Sequence, residues 1–156
     1  MIKDLRLKNK EQKGFTLIEL LVAIVIIGLL AGFLTANFVG VRQRARDGTR
    51  KSDLGQIQSA LELYRSDQGS YYPSTLPACG SSLTGGAPVI TYMQKIPCDP
   101  LNTGEYIYTY EPGLGNNSYE LFACLENTND SQKDDSNNST YCTGSSTNWS
   151  FTLNNP

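Results

Sequence analysis

The apolar residues follow three patterns in turn. From Phe15 to Val41 they run almost without a break, with only Thr16, Glu19, Thr35 and Asn37 conspicuously polar. At about 1.5 Å per residue this stretch predicts a helix of roughly 40 Å, enough to cross a bilayer with some tilt. The spacing then becomes amphipathic. Leu54, Ile57, Leu61 and Tyr64 recur at helical intervals, a stripe that would face a packed domain. Ala45, Gly48, Ser52, Gly55 and Ser59 share that spacing and fall roughly opposite. The helix is therefore predicted to continue through 42–68, with "SDQG" ending it and Gly69 as the residue after the cap.

Beyond Gly69 the pattern is loop-rich, punctuated by Pro73, Pro77, Pro88, Pro97 and Pro100. "EYIYTYE" (105–111) and "SYELFACLE" (118–126) read as strands, and "PGLGNN" between them supplies hairpin turn residues. "NWSFTL" (148–153) adds a third strand. The predicted class is α+β: one long helix packed on a small antiparallel sheet in a head spanning 69–156.

Charge divides along the same lines. Lys3, Arg6, Lys8, Lys10 and Lys13 precede the apolar run, and Arg42, Arg44, Arg46, Arg50 and Lys51 follow it. Equal numbers on the two flanks do not orient the helix. The second cluster is expected against lipid phosphates, acidic patches of other copies, or solvent. Past Ser66 only Lys95 and Lys133 are basic, against nine acids, so the head is not expected to bind nucleic acid nonspecifically. Histidine is absent, and no P-loop, dinucleotide fingerprint or nucleophile elbow occurs. No enzymatic activity is expected.

Small residues also repeat inside the apolar run, where Gly28, Gly32, Ala36 and Gly40 stand four apart. Such spacing lets helix backbones approach closely. Each glycine lowers helix propensity by about 1 kcal/mol, so packing must compensate. Glu19 is the anomaly, because an ionised carboxylate at bilayer depth is costly unless it is paired or snorkels to water.

The first 14 residues, "MIKDLRLKNKEQKG", are charged and end in glycine just before the apolar run. That run is too long for a secretory signal core. A plain signal anchor remains the simpler alternative, but "KGFTLIELL" closely resembles the type IV prepilin leader. "ALELYRSDQGSYYPS", "PCDPLN" and "YIYTY" resemble the globular half of major pseudopilins and related small pilins, so the likeness covers 13–126 with gaps. The resemblance implies cleavage between Gly14 and Phe15 by a membrane-embedded prepilin peptidase on the cytoplasmic side, with N-methylation of Phe15. It implies a single-pass precursor in the inner or cytoplasmic membrane, with leader 1–14 cytoplasmic, 15–41 spanning and the head outside. Glu19 would pair with the N-terminal amine of a neighbouring subunit, each charge offsetting part of the other's desolvation.

The implied function is a structural subunit of a type IV pilus or type II secretion pseudopilus. Its partners would be the peptidase-methyltransferase, copies of itself, minor pilins, an inner-membrane assembly platform, a cytoplasmic assembly ATPase and, before assembly, membrane lipid. Gly48, Ser52 and Gly55 would meet other subunits while the apolar stripe holds the head. The alternative is a monomeric membrane-anchored binding protein with an extracytoplasmic head.

Cys79, Cys98, Cys124 and Cys142 all fall in the head, and four cysteines allow three pairings. Translocation to an oxidising space would favour disulfides. Sequential pairing would close two loops of about 20 residues, each worth roughly 3 kcal/mol. No Cys-x-x-Cys spacing points to zinc. The resemblance raises calcium at Asp130, Asp134 and Asp135, but the family's usual C-terminal signature and the EF-hand pattern are both missing. A solvated acidic loop is favoured, no other cofactor is expected, and the Asn-x-Ser/Thr triplets there carry no glycosylation inference.

Overall fold

A computed structural model of the chain describes residues 14–69, 71–144 and 147–155. It divides into two units, one up to Val39 and one from Gly40 to Pro156. Helix α1, Leu17–Asp67, contributes to both. In the first unit the stretch Leu17–Leu34 has a mean hydropathy of 2.8, so it is long and apolar enough to cross a membrane. Phe15 to Leu34 are all exposed among the described residues, so most of this oily surface is open.

In the second unit the amphipathic stripe behaves as its spacing predicts. Leu54, Ile57, Ala60 and Leu61 are buried, with Tyr64 packed against the same cluster. The helix ends as the Gln68 amide donates to the Tyr64 carbonyl, and Gly69 takes the left-handed conformation (φ +71°) that a side chain disfavours.

Among the described residues, five strands follow. β1 (Leu83–Gly85) and β2 (Ile90–Met93) form an antiparallel hairpin. β3 (Thr109–Pro112), β4 (Tyr119–Leu125) and β5 (Trp149–Asn154) form an antiparallel sheet in that order. Tyr110, Leu121 and Leu153 stand side by side across it. Tyr119, Leu121, Ala123 and Leu125 alternate into the core shared with the helix. On the other face Phe122 packs on Tyr141 at 4.9 Å.

The outcome departs from the sequence pattern at three places. The strand expected over 105–111 begins only at Thr109, because Tyr106 donates back to the Thr103 carbonyl and Ile107 to that of Glu105. The Tyr alternation there serves a different purpose, since Arg50 lies 4.7 Å from the Tyr106 ring. The β1–β2 hairpin has no alternating signal, and its turn, residues 86–89, carries Gly86 and Pro88. Finally, Arg46, Arg50 and Lys51 do not lie against lipid or solvent but fold onto the head in ion pairs. Only Arg42 and Arg44 of that cluster are exposed.

Candidate assembly site and ionic clasp

At the start of α1, Thr16 and Glu19 bind each other. The Thr16 amide and hydroxyl donate to the Glu19 carboxylate at 2.9 and 2.8 Å, and the Glu19 amide donates to the Thr16 hydroxyl at 3.3 Å. This is a capping box, which satisfies backbone amides left without helical partners. Its Thr-x-x-Glu spacing was visible in the sequence and supplies a partner for Glu19 that the membrane argument overlooked. Gly14 and Phe15 precede the helix and are exposed. The new amine after a cut at Gly14 would therefore sit within the same turn of chain as this carboxylate.

The small-residue positions are uncovered. A Cβ built at Gly28, Gly32, Gly40, Gly48 or Gly55 would meet nothing within 4 Å, and Ser52 is exposed. Ala36 lies within the helix.

The second unit holds a site that charge counting did not find. Arg50 is fully buried and binds three carboxylates. Its Nε and Nη2 donate to Asp99 at 2.6 and 3.1 Å, and its Nη1 donates to Asp47 at 2.7 Å and to Glu126 at 2.8 Å. Arg46 grips the same Glu126 with two bonds of 2.6 and 2.5 Å. Asp47 accepts the Glu126 and Asn127 amides at 2.9 and 2.8 Å, tying the helix to the end of β4. Lys51 pairs with Asp130, and the Tyr108 hydroxyl donates to Asp53 at 2.7 Å.

The electrostatics follow from these contacts. Burial opposes the Arg50 charge, but hydrogen bonds to Asp99, Glu126 and Asp47 outweigh it and raise its pKa. Hydrogen bonds from Arg46, with further help from Arg50, hold Glu126 below the usual carboxylate range. Burial pushes the Tyr110 phenol up to about 12. The only local hint in the sequence was the i, i+3 pair Asp47–Arg50, which reads as an ordinary solvated helix face.

The four cysteines pair sequentially, Cys79 with Cys98 and Cys124 with Cys142. The calcium candidates are separately engaged. Asp130 holds Lys51 and the Gln132 amide, whereas Asp134 accepts the Thr152 amide and hydroxyl at 3.0 and 2.6 Å. Asp135 is exposed. Among the described residues, no group of three or more acids or cysteines is arranged to hold a metal ion.

An exposed apolar helix opened by Thr16 and Glu19 fits a known sequence pattern, since the model of the prokaryotic N-terminal methylation motif matches residues 9–35. The model of type II secretion system protein G matches residues 37–140. The chain belongs to that family. Relatives carrying the name type II secretion system core protein G include one from Pectobacterium carotovorum subsp. carotovorum, 34% identical over 59% of this chain and 64% of its own length. Those from Vibrio cholerae serotype O1 (34% identical, 60% of this chain, 68% of its own) and Escherichia coli K12 (32%, 62% and 76%) match similarly. The match thus spans under two thirds of the Pectobacterium relative. No solved structure matches significantly.

Proposed function

We propose that the chain is the structural subunit of a type II secretion pseudopilus. It would be made as a single-pass membrane precursor with its head outside, trimmed after Gly14 by a prepilin peptidase and methylated at Phe15. It would then be drawn from the membrane by an assembly platform and cytoplasmic ATPase into a helical polymer of copies of itself and minor subunits. One observation carries this reading: the methylation motif opens an apolar helix left largely open, and the same chain continues into a secretion-family head. A helix that exposed needs lipid before assembly and other helices after it.

Each end of α1 has its own task in this reading. Glu19, held by Thr16, meets a neighbour's N-terminal amine, and the pair offsets the cost of two charges in an apolar place. The Gly28, Gly32, Ala36 and Gly40 row, and beyond it Gly48, Ser52 and Gly55, allow close helix approach. The subunit itself performs no chemistry.

The test is processing and polymerisation together. Wild type and Gly14→Val are expressed with a prepilin peptidase, an assembly platform and its cytoplasmic ATPase, masses are compared, and the envelope fraction is inspected for filaments. Wild type should lose residues 1–14, gain a methyl group and form filaments, while Gly14→Val should remain uncut. A correctly cut chain that stays a membrane-bound monomer would refute the filament reading.

A further inference from the structure

Arg50 is the only fully buried cation among the described residues, and two of its three carboxylate partners sit beside disulfides. Asp99 directly follows Cys98, which is joined to Cys79; Glu126 stands two residues beyond Cys124, which is joined to Cys142. We propose that oxidation of the two cysteine pairs is coupled, through Arg50, to docking of helix residues 46–51 on the head.

The helix changes its means of attachment at Leu54. From Leu54 onward it is held by buried apolar side chains, Leu54, Ile57, Ala60 and Leu61. Between Gly40 and Asp53 the only buried residues are Asp47 and Arg50. No buried apolar side chain of that stretch anchors it, so it docks by ion pairs and hydrogen bonds, with the Tyr106 ring against Arg50. A guanidinium taken wholly out of water is tolerated only where carboxylates and hydrogen bonds meet it. Asp47 travels on the same helix turn, but Asp99 and Glu126 must be delivered by the 96–102 loop and the end of β4. The Cys79–Cys98 bond fixes the first and the Cys124–Cys142 bond the second.

With the sulfurs reduced, placing each carboxylate costs the conformational entropy that the crosslink otherwise removes. Arg50 and Asp47 then have a cheaper alternative, which is to leave the head for water. The clasp at 46–51 opens while Leu54 to Leu61 stay packed. Each pair closes by losing two protons and two electrons, with an external disulfide accepting the electrons as it becomes two thiols. Such coupling is reciprocal: a docked Arg50 must also make both cysteine pairs harder to reduce. A head oxidised only after export would therefore complete its helix contact only outside the cell.

The test uses the full chain in detergent micelles. The Arg50 Nε–H signal is assigned by its loss in Arg50→Gln, and its hydrogen exchange is followed by NMR. The wild type is compared with Cys79→Ser/Cys98→Ser and with Cys124→Ser/Cys142→Ser. In each serine pair exchange at Arg50 should quicken about tenfold, within the usual range of coupling between sites, while β4–β5 amides remain protected. Unchanged exchange in both overturns the proposal.

The reciprocal arm keeps all cysteines and titrates the thiol–disulfide equilibrium against glutathione. Arg50→Gln should move that equilibrium about tenfold toward thiols. Leu61→Ala, which loosens the apolar anchor without touching the clasp, should move it less. Equal shifts would mean that disulfides follow overall folding alone, and the coupling is refuted. Should a serine variant fail to fold, this second arm decides.

Discussion

Arg50 is buried away from water, and Glu19 would be in the proposed membrane-inserted state; each has nearby partners. For Glu19 the partner within the chain is Thr16. Removing the carboxylate removes a costly group, so Glu19→Ala should insert at least as well as wild type, yet form few filaments or none. Electron microscopy of sheared filaments alongside membrane fractionation measures both, and normal filaments would leave snorkelling as the better account. Arg50→Ala is a harsher change, because Asp99 and Glu126 would be left without their cation. It should cost about 3–5 kcal/mol by thermal unfolding in detergent. Arg44→Ala, on an exposed position of the same helix, should stay within about 0.5 kcal/mol. The clasp also sets an acid limit. Glu126 is depressed below its ordinary value near 4.5, so its stabilisation is full above that value and is lost as pH falls through the lowered one. The melting temperature should fall on acidification below about pH 4.5, and less steeply in Glu126→Gln.

Helix α1 and the sheet strands differ in how openly the sequence announces them. Leu54, Ile57, Leu61 and Tyr64 were legible because the helical period and the burial coincide. β4 and β5 emerged within a residue or two of expectation, because hydrophobic runs with flanking turns leave few alternatives. β3 was overdrawn since Tyr106 and Tyr108 alternate like strand residues while in fact covering Arg50 and reaching Asp53. The clasp was illegible for a different reason: Asp99 and Glu126 lie 49 and 76 residues from Arg50, a pairing no local pattern encodes. At this scale the prediction concerns the two helix faces. Gly55→Leu meets open space and gains helix propensity of up to about 1 kcal/mol, so the melting temperature should hold or rise. Filaments should nevertheless decline, because the face proposed to meet neighbours has become bulky. Leu61→Ala should do the opposite to the monomer, costing about 2–5 kcal/mol for a fully buried leucine. Normal assembly by Gly55→Leu would mean the faces are assigned wrongly.

In the proposed polymer the sheet must also be kept from pairing, since an open strand edge recruits other chains. The β3–β4–β5 sheet has two edges, and residues 134–138 cover that of β5. Asp134 accepts the Thr152 amide and hydroxyl, its carbonyl accepts the Trp149 indole, and its amide donates to the Ser150 carbonyl. Asn137 accepts the Ser150 amide, and Lys51 with Cys142 fastens the segment at either side. Asp134 thus acts as a substitute strand, using protein donors where a bound cation would use its carboxylate as a ligand. Two outcomes follow from that arrangement. Asp134→Ala should lower the melting temperature, losing a charge-assisted bond set worth about 1.5–3 kcal/mol, and should turn ordered filaments partly into amorphous aggregate. Asp135→Ala, at an exposed neighbour, should do neither. Because Asp130 and Asp134 already hold Lys51 and Thr152, a chelator should leave wild-type melting unchanged, and added calcium should not raise it. A calcium-dependent rise that disappears in Asp134→Ala would instead make this segment a cation loop, with the Thr152 bonds as its metal-free resting arrangement.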